Sequence, residues 1–308
     1  MLVENGHDVR VLAHRNRDGF EKLPVEIVGG SILEPPDMDR LTKDCDVIFH
    51  LAAVISIRGG FSEHLRKVNI AGTQNLLEAA RRQNVRRVVS FGSVHAFSED
   101  EPDTPFDETR PLALHAPMAY SRTKAEALDL TLRFAKENGP EVIALCPTSV
   151  LGPFDPEPSL SGQMLIDFYK GNIPMLAPGG FDWVDVRDVV AGALSAMHSG
   201  RSGEAYLLSG RYATMSDIVR IIGDVTGRPV PKHVAPYLLL RAVAPLVEVF
   251  SRITGTQPRF TRDAVVTLRR GSRFVSSEKA RKDLGYTSRP LEDTIADAYQ
   301  WFAQHNYL

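Results

Sequence analysis

Asp46-Val-Ile-Phe-His-Leu-Ala-Ala53 is a nearly continuous apolar run that begins on a charged residue and ends on small ones. It lacks the alternation of a half-exposed strand, so it reads as a strand covered on both faces, the situation inside a parallel sheet. Downstream, Ser62 to Gln83 carries Val68, Leu76, Leu77 and Ala80 on one stripe, which predicts a long amphipathic helix. Arg86-Arg-Val-Val-Ser-Phe-Gly-Ser93 is then a further strand that ends in small polar residues. Strand, helix and strand at this spacing predict a right-handed βαβ unit.

The same alternation extends in both directions. Upstream, Met1 to Gly6 reads as the last turn of a helix closed by Asn5-Gly6, where a left-handed residue ends the helix. Asp8 to Ala13 and Val25 to Val28 read as strands, His14 to Arg17 as a small basic cluster between them, and Asp37 to Lys43 as a short helix. Downstream, a Pro- and acid-rich loop from Ser98 to Pro117 leads into a helix from Tyr120 to about Glu137, followed by a strand at Glu141 to Cys146. The expected fold class is therefore α/β, a doubly wound parallel sheet. Beyond Pro147 prolines and glycines cluster, and the remaining elements are expected to be mostly helical, with some segments returning to the first core. Thr214-Met-Ser-Asp217 has the spacing of a capping box, and Pro290 with Glu292 and Asp293 opens a C-terminal helix ending near Gln304.

Composition narrows the class of function. The chain has 308 residues, 43% hydrophobic and 24% charged, as in folded globular proteins. A net charge of −2 gives no footprint for nucleic acid. Cys45 and Cys146 are too few for a disulfide framework or a zinc site and read as buried thiols, so no metal is expected. No run of apolar residues is long enough to span a bilayer; Pro236 to Ile253 is broken by charges and reads as an amphipathic cover over a pocket. The first residues are no signal peptide, and a cytoplasmic location is the expectation.

One stretch points to chemistry: Ala119-Tyr-Ser-Arg-Thr-Lys-Ala-Glu126. Tyr120 and Lys124 stand one helical turn apart, so the ammonium can sit beside whatever the phenol touches. A unit charge at ~4 Å in an effective dielectric of ~20 is worth roughly 4 kcal/mol, enough to draw a phenol's proton affinity toward neutral pH. The partners would come from strand ends, since ligands of open parallel sheets bind at the carboxyl ends of the strands. His50-Leu-Ala-Ala53, Ser93 and Pro147-Thr-Ser-Val150 are those ends.

Taken in order, these motifs resemble the extended short-chain dehydrogenase/reductases, the NAD-dependent epimerase/dehydratase family. The resemblance covers essentially the whole chain through His50-Leu-Ala-Ala53, Val68-Asn-Ile-Ala-Gly-Thr-Gln-Asn-Leu-Leu77, Ser93, Tyr120-Ser-Arg-Thr-Lys124, Pro147-Thr-Ser-Val-Leu-Gly-Pro153 and Trp183-Val-Asp-Val-Arg-Asp-Val189. The last of these, with Leu160 to Pro178, is most similar to the dihydroflavonol reductase and 3β-hydroxysteroid dehydrogenase branch. The resemblance implies a Rossmann-like dinucleotide-binding domain over residues 1–150 and a smaller, mainly substrate-binding subdomain over 151–308. It implies Tyr120 as general acid/base, Lys124 as the residue that holds the nicotinamide ribose and lowers the phenol pKa, and Ser93 as the hydroxyl that orients the substrate oxygen. Leu51, Ala52 and Ala53 would lie along the cofactor, with Pro147 and Val150 beside its nicotinamide end. Asn69 reads as structural, and Asp185 and Asp188 as a helix-capping and loop-bonding pair.

Two positions bear on the cofactor. Arg15, after the first strand, suits a ribose 2′-phosphate and favours NADP, with NAD the alternative. Ser31, followed by Ile32, stands where the family usually carries Asp followed by an aliphatic residue near the adenine. The front of the family pattern, a buried strand and a glycine-rich turn that receives the pyrophosphate, is absent from the sequence. That strand would lie between the strands at Val9 and Val47. The expectation is that the natural chain begins roughly 15 to 25 residues earlier, by the usual length of a strand, turn and helix start; the alternative is a truncated, cofactor-poor relative.

The function expected from these readings is NAD(P)-dependent interconversion of a carbonyl and an alcohol on a fairly apolar small molecule. Two alternatives stand beside it: a nucleotide-sugar epimerase or dehydratase using Arg259, Arg269 and Arg270, and a non-catalytic binding or regulatory relative. The partner is a small-molecule substrate, and the resemblance suggests a homodimer.

Overall fold

The computed structural model describes residues 1–14, 19–20, 23–55, 63–101, 104–240, 242, 268, 271 and 273–308. A 3-10 turn at Val3–Asn5 closes on Gly6, whose φ of +81° is the left-handed stop that Asn5-Gly6 suggests. Strands β1 (Arg10–Ala13) and β2 (Glu26–Gly29) pair in parallel as a two-stranded sheet. Helix α1 (Pro35–Thr42) starts on two prolines, whose missing N–H groups would be orphans there anyway.

The main sheet holds β3 (Val47–His50), β4 (Arg87–Phe91), β5 (Glu141–Pro147) and β8 (Ala205–Leu208) in that order, all parallel. The quoted run therefore folds as a parallel strand, but only its first half does. β3 ends at His50, and Leu51 to Ile55 leave the ladder. β3 is the edge of this sheet and shares no hydrogen-bond register with β1. The two are joined instead through side chains, since Leu12 and Ile48 pack on the same cluster of Ile32, Met38, Leu76 and Ala79.

The expected helix Ser62 to Gln83 is broken in its register. α2 (Glu63–Arg66) passes into a π-helical stretch, Lys67–Gly72, before α3 (Thr73–Arg82); Ser62 lies outside the described residues. Helix α4 (Ala119–Phe134) covers the sheet beside α3 and carries Tyr120 in its first turn.

Beyond β5 the described elements are mostly helical, as expected, but they include short strands that the sequence did not suggest. β6 (Ser149–Leu151), β7 (Gly180–Asp185) and β9 (Arg211–Thr214) form a mixed three-stranded sheet. These strands are short and separated by long connections, so no alternating pattern announces them. Helices α5 (Leu160–Tyr169), α7 (Met215–Thr226) and α9 (Leu291–Gln304) pack on that sheet around Leu165, Ile218, Ile295 and Phe302. α7 opens with the capping box, Thr214 and Asp217 each bonding the other's backbone. Helix α6 (Val186–Ser199), β8 and α8 (Glu278–Leu284) return to the main sheet, where Val184, Val189, Tyr206 and Ala280 share a cluster with Val89 and Leu145. The two parts thus share one core cluster.

Candidate active site

Ser93 follows β4 in extended backbone and caps the 3-10 turn Val94–Ala96, its Oγ accepting the N–H of His95 at 3.3 Å. Tyr120 enters from α4. Burial raises its phenol pKa, and a hydrogen-bonding interaction with the Ser93 side chain draws it back in part. Hydroxyl and phenol thus meet at the carboxyl end of β4, as the reading of the strand ends requires. Lys124 is buried one turn on, with Nζ donating to the Phe91 carbonyl at 3.4 Å. Burial lowers its pKa, opposed by the Cys146 thiol. Lys124 therefore faces the strand ends, and its charge does not lower the phenol in this arrangement.

The floor beneath these groups is polar. Thr73 Oγ1 donates to the Asn69 carbonyl at 2.8 Å, so its lone pair must accept from His50 Nε2 at 2.9 Å. That fixes a proton on Nε2 of His50. Burial, together with the Lys124 charge, holds this imidazole neutral, its pKa pushed down to about 4. A cavity of about 20 Å³ separates His50 and Thr73 from Lys124. Gly92 passes so close to Cys146 that a Cβ would stand 2.7 Å from Sγ. Burial pushes that thiol up to about 12, which makes it an inert packing group.

The strip beyond β3 is held from the side. Asn69 lies on the π-helical stretch, whose wider turn carries its amide to Val54. The Val54 N–H donates to Asn69 Oδ1 at 2.7 Å, and Asn69 Nδ2 donates to the Val54 carbonyl at 3.0 Å and to Thr123 Oγ1 at 3.4 Å. One buried amide thus ties the strip to α4. Leu51 is 63% exposed, and Ala52 and Ala53 are exposed beside it, an apolar shelf of mostly small side chains.

The remaining candidates lie on other segments. Pro147 ends β5 and pairs with Leu208; Val150, in β6, is partly buried on the core around Val89 and Val184. Ser31 and Ile32 follow β2. The Ser31 N–H donates to Asp37 Oδ2 at 2.8 Å, its Oγ accepts from Leu33 N at 3.2 Å, and the Ile32 side chain is buried in the cluster with Met38. Asp37 thus holds this turn from α1, a role the sequence did not suggest. Arg15, Arg259, Arg269 and Arg270 lie outside the described residues, as does most of the Pro236 to Ile253 segment, of which 236–240 and 242 are described. Asp185 caps α6 by accepting from Arg187 N at 2.7 Å, and Asp188 accepts from Arg289 N and Nε, so both hold structure as expected.

The nicotinamide half of a dinucleotide suits what is present. The exposed shelf Leu51–Ala53 offers a flat ligand access to backbone, and Lys124 has one protein acceptor among the described residues, which leaves donors for ribose hydroxyls. Among the described residues no group of His, Cys, Asp or Glu could hold a metal, and no helix is long and apolar enough to cross a membrane.

The chain is similar to known proteins along its whole length. The model of the NAD dependent epimerase/dehydratase family matches residues 1–209. Sterol demethylase protein B of Methylococcus capsulatus is 33% identical over 320 residues, covering 100% of this chain and 94% of that protein. A 4-hydroxy-2-methyl-3-oxo-4-farnesyl-3,4-dihydroquinoline-1-oxide ketoreductase of Stigmatella aurantiaca is 28% identical over 315 residues, covering 96% and 90%. The crystal structure of gox2253 superposes with a TM-score of 0.85 at 32% identity, covering 100% of this chain and 94% of that one.

Proposed function

This chain belongs to the NAD dependent epimerase/dehydratase family, and on that premise we propose that it is a nicotinamide-dependent reductase or dehydrogenase that interconverts a carbonyl and an alcohol on a fairly apolar small molecule. The observation that carries the reading is the meeting of Ser93 and Tyr120 at the end of β4 with Lys124 one turn on. The Stigmatella relative is a reductase of a ring ketone, and that chemistry suits the same three side chains here.

In the reducing direction Ser93 Oγ donates to the substrate carbonyl and holds it against Tyr120. Tyr120 Oη then gives its proton to that oxygen as the carbon gains a hydride, so no free alkoxide accumulates. The bound dinucleotide supplies the hydride. Lys124 holds the ribose, Asn69 holds the shelf beside it, and His50, kept neutral, adds no competing positive charge. Exposed apolar side chains on the segments after β6 and before residue 240, Phe154 at 68% and Leu238 at 76%, favour an apolar substrate. Arg15 favours NADP over NAD.

The test is nicotinamide absorbance with the purified protein, NADPH or NADH, and panels of steroid, flavonoid and simple ketones. Substrate-dependent oxidation that is lost in Tyr120→Phe is expected. No oxidation with any panel, or turnover that survives Tyr120→Phe, overturns the proposal.

A further inference from the structure

The sheet register builds a polar row beneath Lys124. His50 of β3 stands opposite Ser90 of β4, and Ser90 opposite Ala144 of β5, so the three side chains leave one face of the sheet side by side. His50 identifies that face, because its Nε2 bonds Thr73 Oγ1 of α3 at 2.9 Å. The row therefore looks at the layer of α3 and α4, where Lys124 lies. Between them is the cavity of about 20 Å³, bordered by His50, Ser90, Ala144, Thr73 and Lys124. The single methyl group of Ala144 leaves that space unfilled.

Each polar group around the space has bonding capacity to spare. With its proton on Nε2, the neutral His50 ring keeps an acceptor lone pair on Nδ1, which has no protein partner among the described residues. Ser90 Oγ has none there either, although Ser90 and His50 are each only 6% exposed. Among the described residues Arg81 Nε is the sole side-chain N or O that is both sealed from water and without a partner. Nδ1 and Oγ are therefore open to a water molecule, and for residues this buried the cavity they border is that opening. Lys124 Nζ, on the opposite wall, carries three N–H groups and has one protein acceptor among the described residues, the Phe91 carbonyl at 3.4 Å.

An ammonium taken out of water needs its N–H groups met. A buried water needs roughly 10–15 Å³ of such space and commonly about three polar partners. Here Nζ offers a donor, Nδ1 an acceptor, and Oγ serves as either, which matches what one water gives and takes. A cation is excluded by the Lys124 charge, and an anion by the Nδ1 lone pair.

We propose that this cavity is a built site for one structural water, which accepts from Lys124 Nζ and donates to His50 Nδ1, with Ser90 Oγ as its third partner. The water and the Phe91 carbonyl together take two of the three Lys124 N–H groups and leave the third for a ligand. His50 and Ser90 are thus positioning residues for Lys124. The consequence for binding rests on the reading of Lys124 as the group that holds the nicotinamide ribose.

Two measurements test it. A high-resolution crystal structure should show one water within hydrogen-bonding distance of Nδ1, Oγ and Nζ. An empty cavity, or a water that does not reach Nζ, overturns the proposal. The second measurement is the dissociation constant of the reduced dinucleotide, NADPH or NADH, by fluorescence titration in wild type, His50→Asn and His50→Gln, with melting curves to show that the variants fold. Asn places an acceptor where Nδ1 stands and gives up the Thr73 bond; Gln reaches Thr73 and gives up that acceptor. The water site predicts that Gln weakens binding about tenfold and Asn by less than about threefold. The reverse order, or an equal effect of the two, assigns His50 to the Thr73 bond alone and overturns the proposal. Ser90→Val fills the cavity with methyl groups while His50 and Thr73 keep their bond. It should weaken binding as Gln does, and wild-type affinity in that variant overturns the proposal as well. If wild type binds neither dinucleotide, the nicotinamide reading fails, while the crystal structure still decides the water site.

Discussion

Tyr120 shows how far a spacing rule reaches and where it stops. The four-residue separation from Lys124 suggests an ammonium that lowers the phenol; in the fold burial raises the phenol, and Lys124 turns to the Phe91 carbonyl. The phenol is therefore protonated through the neutral range, the form that donates to a carbonyl oxygen. Carbonyl reduction is expected to hold across neutral pH and to decline only on the alkaline side, as the proton is lost. Oxidation of the alcohol should gain there instead, and initial rates in both directions across pH check the pair. Tyr120→Phe removes the proton donor with little change of shape, and kcat should fall by ~10²–10⁴ with an unchanged melting curve. The meeting of Tyr120 with Ser93 was legible in the sequence. The protonation state of the phenol was not, because desolvation depends on what the fold stacks over the ring.

At the scale of elements, the register of one helix decides the shape of the strip that follows β3. The π-helical stretch Lys67–Gly72 turns Asn69 onto Val54, where its amide makes both backbone hydrogen bonds. Asn69→Ala leaves that N–H and carbonyl unpaired, a loss of roughly 1–3 kcal/mol. It should raise KM for the dinucleotide more than it lowers kcat, read by denaturant melts and by kinetics with varied cofactor. A second element-scale case is the crossing of strands at Asp182 of β7, 8% exposed, where Oδ1 accepts from Thr148 Oγ1 at 2.7 Å and from Gly210 N at 2.8 Å. Burial outweighs those bonds and raises its pKa from 3.8 to about 6. The folded carboxyl thus holds its proton more tightly than the unfolded one. Its contribution to stability is fully present below about pH 4 and is lost as pH rises through about 6, a change of about 3 kcal/mol. Asp182→Asn keeps the acceptor oxygen and removes the titration. Its unfolding free energy should lack that fall between pH 4 and 6.5, measured by urea melts across pH.

For the whole molecule, the junction between the two sheets is the point that tolerates least. Gly210 links β8 of the main sheet to β9 of the smaller one, and a Cβ there would sit 1.9 Å from the Trp183 carbonyl of β7. Relief needs backbone movement in two sheets at once, so Gly210→Ala should cost at least about 2 kcal/mol, seen as a lowered denaturant midpoint. Arg187, between Asp185 and Asp297, ties α6 to α9 across the same junction. The apolar run at Val47 to His50, the helix pattern after it and the small residues at strand ends determined the parallel sheet, the place of Ser93, Tyr120 and Lys124, and the capping of α7 and α6. Those are local matters of hydrophobic period and side-chain chemistry, and they are written into consecutive residues. The three-stranded second sheet, the strip that leaves β3, the hold of Asn69 on Val54 and the cavity shared by His50, Ser90 and Lys124 were decided only by the tertiary structure. Each depends on which segments distant in sequence exclude water together, and no local pattern carries that information.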